Sequence, residues 1–182
     1  MRPLLDRLQA RAGKLGAGLY AAVLAFVVLA LCGAVGLAVR QPWLFPSLGP
    51  TAMLFFESPR EKPAQPANAL IGHLIGIGVG WAMLTVFHLD PLPPAPIGGL
   101  SAGYVLAGAL SVALTSLILI GIGRPHPPAG ASTLIVSLGI LTTPVQLGTM
   151  ALAVLLLTVA GWGLNAALGL RGAQLTRPQG PA

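Results

Sequence analysis

The chain has 182 residues, of which 55% are hydrophobic and 8% charged, with a formal net charge of +6. A soluble domain carries roughly a quarter charged residues, so this composition excludes an ordinary water-soluble fold and points to a membrane protein. The basic residues stand at segment ends rather than on one face, which excludes a nucleic-acid footprint, and the single Cys32 leaves no intrachain disulfide.

Residues 1–14 form a basic N-terminus with Arg2, Arg7, Arg11 and Lys14. The uncharged run 15–39 is about 25 residues long, longer than a signal-peptide core, and is expected as a retained first span. Residues 43–56, WLFPSLGPTAMLFF, follow as a short apolar stretch with Pro and Gly near its start. Residues 66–87 form a second span, interrupted only by His73, and residues 97–123 a third. Residues 127–141, PPAGASTLIVSLGIL, form a second short stretch; 145–170 is the fourth span and 171–182 a tail. As helix, each short stretch reaches only roughly 21–23 Å, marginal for a crossing. Each is either a short broken span or a re-entrant half-helix, buried in protein or beside a wet cavity, because freed backbone groups are not tolerated against lipid.

The two halves align without gaps at an offset of 81 residues. Pro46 and Gly49 fall on Pro127 and Gly130, Pro63 and Gln65 on Pro144 and Gln146, and Gly80-Trp81 on Gly161-Trp162. Matches of Pro, Gln and Trp in one register indicate a duplication, with repeat one over about 15–89 and repeat two over about 96–170. The expected fold is all-α: a polytopic transmembrane helix bundle of two repeats, each a long span, a short broken or re-entrant helix and a long span. If the short helices cross, there are six crossings and the repeats are inverted. If they dip in and return, there are four and the repeats run parallel. Charge placement favours six: Arg2, Arg7, Arg11, Lys14, Arg60, Lys62, Arg124, Arg171 and Arg177 then share the cytoplasmic side, and Arg40 alone lies outside. Both termini are then cytoplasmic, and the expected location is a bacterial inner (plasma) membrane.

Paired interrupted helices in inverted repeats point to a transporter's binding site. A helix that starts inside the membrane presents unpaired N–H groups and its positive dipole end, which attract anions. Candidate substrate-binding residues are therefore Ser47, Gly49 and Thr51 at the first break, with Pro50 suited to a first turn, and His126, Gly130, Ser132 and Thr133 at the second. His126 can donate to an anion or carry a proton, or equally cap the helix. His73 is an ionisable group inside a span, a proton-path candidate or a satisfied buried imidazole. Gln65, Asn68 and Gln146 line a polar path, or more plainly cap helices and bridge the repeats. Gly72, Gly76 and Gly80, with Gly99 and Gly103, form small-residue stripes for close helix packing or a homo-oligomer.

No carboxylate pair, metal-ligand spacing or nucleotide-type glycine loop is present in the sequence, so no enzyme activity, metal or cofactor is expected. The expected partners are the lipid bilayer and a small anion. The expected function is a secondary transporter or channel for a small inorganic anion, the alternative being a non-transporting membrane scaffold or partner-binding subunit.

The string RPHPPAGA at 124–131 resembles the signature of the integral membrane HPP family, named for His126, Pro127 and Pro128. Gly49-Pro50-Thr51-Ala52 is similar to that family's first Gly-small-residue segment, Gln65-Pro66-x-Asn68 to its Gln-Pro-x-Asn motif, and Gly72-His73 to its Gly-His. Arg is common in the family where Ala67 stands here. The resemblance spans about residues 15–170. It implies a transmembrane domain usually described with four spans and a transporter role, nitrite transport having been linked to plastid and cyanobacterial members.

Overall fold

A computed structural model describes residues 2–170; the tail 171–182, with Arg171 and Arg177, lies outside the described residues. Within the described residues every regular element is helical: α1 (Leu4–Val39), α2 (Leu48–Glu57), a 3-10 turn (Lys62–Ala64), α3 (Pro66–Val86), α4 (Ala95–Gly98), α5 (Ala102–Gly121), α6 (Ala129–Ser137) and α7 (Pro144–Ala167). The helices α1, α3, α5 and α7 are long and apolar enough to cross a membrane, so the chain is a multi-pass helical bundle.

Local chemistry sets these boundaries. Pro66 and Pro144 open α3 and α7, at a position whose N–H has no intrahelical partner anyway. Thr143 and Gln146 form a reciprocal cap on α7: Thr143 Oγ1 accepts from the Gln146 N–H at 3.3 Å, and Gln146 Oε1 accepts from the Thr143 N–H at 3.1 Å. The first helix begins at Leu4 rather than at residue 15, but it breaks at Ala12 and at Gly13, whose φ is +57°. The basic N-terminus is thus a separate helical piece ahead of the span, with Gly16 lying against the Leu8 carbonyl. The expected third span is also interrupted. The turn α4 ends at Gly99, whose φ of +87° suits glycine, and α5 starts only after Ser101 accepts from the Tyr104 N–H.

Both short stretches contain less helix than their apolar lengths suggest: α2 has 10 residues and α6 has 9. Before α2 the chain folds back along α1. The Gln41 N–H bonds Gly36 O at 3.0 Å, and Gly33 and Gly36 leave room for Leu44 and Trp43.

Contacts define the two ends of the bundle. At one end the Leu4 N–H bonds Leu168 O at 3.0 Å, Arg60 pairs with Asp6 at 2.6 Å, and His126 Nδ1 reaches Pro63 O at 2.8 Å. At the other the Ala95 N–H bonds Leu138 O at 3.0 Å and the Tyr104 hydroxyl donates to Pro93 O at 2.9 Å. The chain therefore leaves the N-terminal end along α1 and returns through α2. It leaves along α3, returns along α5, leaves along α6 and returns along α7. A cysteine placed at exposed Glu61, in a Cys32→Ala background, is expected to react with an impermeant thiol reagent only from the side holding the N-terminus. Labelling only from the opposite side would contradict this chain path.

The pairing of elements is unchanged when the halves are exchanged: α2 packs on α1 and α7, and α6 on α5 and α3. Equivalent glycines make these approaches possible. A Cβ on Gly80 would lie 2.9 Å from Val136 Cβ, and one on Gly161 would lie 3.0 Å from Phe55 Cδ2; Val136 and Phe55 are themselves one repeat apart. The stripe Gly72, Gly76 and Gly80 thus faces His126, Ala129 and Thr133 inside the chain, so it is not a surface for an oligomer partner. The two repeat-matched tryptophans differ in setting. Trp162 donates to Ala64 O at 3.0 Å and meets Phe55 edge-on, whereas Trp81 is 49% exposed.

Candidate functional site

Buried polar side chains in an apolar bundle need partners, and three of those here, Thr51, His126 and Ser132, converge on His73. This residue follows Gly72 on α3 and is fully buried. Thr51, in the first turn of α2, lies 2.9 Å from its Nε2, and Ser132, in the first turn of α6, lies 2.6 Å from its Nδ1. His126, in the turn before α6, brings its Nε2 to 3.3 Å from His73 Nε2, the two rings meeting edge to face at 4.9 Å. Gly72 permits this approach, because a Cβ there would lie 2.9 Å from His126 Cβ.

Hydrogen-bond complementarity assigns both tautomers for neutral rings. A carbonyl only accepts, so His126 Nδ1 carries the hydrogen donated to Pro63 O. His126 Nε2 then offers a lone pair to His73 Nε2, which must carry a hydrogen. Thr51 donates its hydroxyl to Ser47 O at 2.9 Å, leaving its oxygen to accept from the same His73 N–H. His73 Nδ1 accepts from the Ser132 hydroxyl. A proton added to this pair enters at His73 Nδ1, with the Ser132 oxygen turning to accept from it, and the hydrogen already between the two Nε2 atoms can then sit on either ring, so that both imidazoles share the charge.

The starts of the short helices differ from bare dipole ends. At α6 Pro127 and Pro128 have no N–H, and the N–H groups of Ala129, Gly130 and Ala131 bond the carbonyls of His126, Pro127 and Pro128 at 3.0–3.1 Å. What this start presents is side chains and the open space beside Gly130. At α2 Pro50 has no N–H and Leu48 bonds Phe45 O at 2.9 Å, Gly49 also faces open space, and the fully buried Ser47 hydroxyl has no partner among the described residues.

A second set of hydroxyls continues from this centre. Thr115 of α5 donates to Thr133 of α6 at 3.3 Å, and Ser111, which gives its own hydrogen to Gly108 O, accepts from Ser137 at 3.1 Å, a ladder between two helices. A cavity of about 250 Å³ lies at its lower end, lined by Thr115, Ser116, Leu119, His126, Pro127 and Gly130 among others. Sequence reasoning found Thr133 but missed Ser111, Thr115 and Ser137. Their signal was the matched i, i+4 spacing of hydroxyls on two apolar helices.

The structure thus gathers Thr51, His73, His126 and Ser132, sets Ser47 and Thr133 beside them, and leaves Gly49 and Gly130 flanking. Asn68 lies below, where its Nδ2 donates to Lys62 O at 2.8 Å and its Oδ1 accepts from Arg124 at 3.4 Å. Gln65 is the residue before α3, and Gln146 is engaged in the α7 cap at the opposite end of the bundle. Among the described residues no group of three or more His, Cys, Asp or Glu is placed to hold a metal ion.

Comparison with known proteins agrees with this architecture. A stretch of 97 residues, 53% of the chain, is 28% identical to a transmembrane protein of Dictyostelium discoideum and covers 30% of that protein. The chain thus spans less than a third of this relative's length. No solved structure matches. The family model described as HPP, transmembrane region, matches residues 10–173, nearly the whole bundle including its His-Pro-Pro turn, and the chain therefore belongs to the HPP transmembrane family.

Proposed function

We propose that the protein is a secondary transporter or channel for a small inorganic anion, nitrite-like by family resemblance, with its centre at His73. The observation that carries this reading is the convergence of Thr51 and Ser132, one repeat apart, on the two nitrogens of one buried imidazole. The counterparts of His73 and His126 in the other half are Val154 and Phe45, both buried and apolar. The imidazole pair therefore occurs once in the symmetric frame, beside the starts of the two short helices. That asymmetry suits a binding site better than packing alone.

On this reading the repeats are an inverted duplication with six crossings. The end holding Arg7, Arg11, Lys14, Arg60, Lys62 and Arg124 is cytoplasmic. The shared proton of the imidazole pair supplies positive charge without a buried Lys or Arg, and the hydroxyls of Ser47, Thr51 and Ser132 supply hydrogen bonds. An inside-negative potential opposes anion entry, so a proton taken up with the anion makes uptake neutral. Rocking of one half against the other opens the site alternately. A scaffold that recruits a partner through glycine stripes has less support, because the main stripe is covered by α6.

Proteoliposomes of the full chain, given an inward proton gradient, are expected to accumulate nitrite beyond protein-free vesicles. A Ser132→Ala protein should do so about tenfold more slowly, the scale of one lost hydrogen bond to a charged group. Absence of any protein-dependent flux would remove this reading, and a stable co-purifying partner in its place would favour the scaffold.

A further inference from the structure

The seam between α5 and α6 carries its own message about what moves. Its polar groups are the pairs Thr115–Thr133 and Ser111–Ser137, and all four residues are buried. Below them the cavity of about 250 Å³ touches His126, so the imidazole centre and the hydroxyl ladder meet there. Ser132 and Thr133 are neighbours on α6, one turned to His73 and the other to Thr115. Above the ladder lie the Leu138–Ala95 bond and the Tyr104 hydroxyl at the far end of the bundle. Gly108 thins the seam, with only the tips of Leu134 and Leu138 within 4 Å of where its Cβ would stand.

Among the described residues, the side chains of this route from Thr115 to Leu138 are hydroxyls and hydrocarbon, with no Lys, Arg, Asp or Glu. Hydroxyls both donate and accept, so each pair can exchange its mutual bond for one to a passing solute. They match a neutral molecule that carries its own O–H. They match a bare anion poorly, because an ion in such surroundings loses its hydration without gaining a counter-charge.

We propose that the α5–α6 seam is the conduction route, and that it passes the uncharged conjugate acid of a small weak-acid anion. This rests on the transporter reading and names its substrate class. At the centre the proton passes from the imidazole pair to the anion. One N–H bond breaks, one O–H bond forms, and both rings return to neutral. The step is reversible: for uptake the acid enters at the far end, travels along the ladder and returns its proton to the imidazole pair before proton and anion leave at the near end, so no net charge crosses.

The test uses proteoliposomes of the full chain with nitrite, formate, nitrate and chloride as probes, under potentials clamped with potassium and valinomycin. Nitrite and formate have weak conjugate acids; nitric and hydrochloric acids are too strong to be populated. Protein-dependent uptake of nitrite and formate is expected, with none of nitrate or chloride. The initial rate should be insensitive to the clamped potential and rise about tenfold for each unit fall in external pH, following the protonated fraction. Uptake of nitrate or chloride at comparable rates that follow the potential would overturn the inference while leaving anion transport standing. No flux of any probe would overturn both.

The route is tested separately with Ser137→Leu, which fills the ladder, and Ser111→Ala, which removes one rung. Both are expected to lose about tenfold or more of the flux, with Ser137→Thr retaining it. Unchanged flux in Ser111→Ala, a change small enough to leave packing intact, would overturn the seam as route.

Discussion

His73→Gln is expected to reduce proton-driven uptake by about a hundredfold, the scale on which removing a proton-transfer group acts, while the protein still folds. Gln retains a donor and an acceptor for Thr51 and Ser132 but cannot hold an added proton. His73→Leu is the harsher change. It leaves the Ser132 hydroxyl and the His126 lone pair without their partner in a buried site, which costs about 1–3 kcal/mol for each unsatisfied group. The two variants are separated by thermal unfolding in detergent alongside flux. Loss of both properties in Leu, and of flux alone in Gln, is the expected pattern. A Gln protein with normal proton-driven flux would show that the imidazole is structural.

Gly76→Val is expected to prevent stable folding. A Cβ at this position would lie 2.7 Å from Ala129 O and 3.5 Å from Thr133 N, both backbone atoms of α6 that cannot rotate away. Accommodating it pushes α3 off α6, with a cost above about 3 kcal/mol, the upper end for overpacking. Two residues along the same helix, a Cβ on Gly78 meets nothing within 4 Å. Gly78→Ala is therefore expected to be neutral or to stabilise by up to about 1 kcal/mol, through lower backbone entropy in the unfolded chain. Yield of monodisperse protein checks the pair; equal yields from both variants would contradict the close α3–α6 contact.

Much of this architecture is visible in the amino-acid order, because span length and apolarity are local properties. The run 66–87 became Pro66–Val86, and 145–170 became Pro144–Ala167. Where local signals compete, the expectation failed. A long apolar run hid the Gly98–Ser101 break before α5, and the stretch 43–56 became a non-helical return followed by a short helix. Hydropathy does not distinguish extended from helical chain when both pack against protein.

The polar centre was legible only in pieces. Thr51, His73, His126 and Ser132 were each visible as polar residues in an apolar context, but their meeting depends on α2 and α6 arriving from opposite directions at α3. No local rule carries that information. The repeat register contained part of it, since Thr51 and Ser132 occupy equivalent positions. The hydroxyl ladder was hidden for another reason. Ser and Thr inside membrane helices commonly bond their own preceding turn, as Thr149 does to Val145 O and Ser111 also does to Gly108 O. The sequence does not distinguish a self-satisfied hydroxyl from one that also reaches a neighbouring helix.

Nitrogen-15 NMR of the histidine-labelled protein in lipid bilayers tests the centre most directly. Two neutral imidazoles of opposite tautomer, joined by a nitrogen–nitrogen coupling across the His73–His126 hydrogen bond and shifting together with saturation as nitrite is added, are the result this account predicts. Two uncoupled rings whose signals ignore nitrite would contradict it.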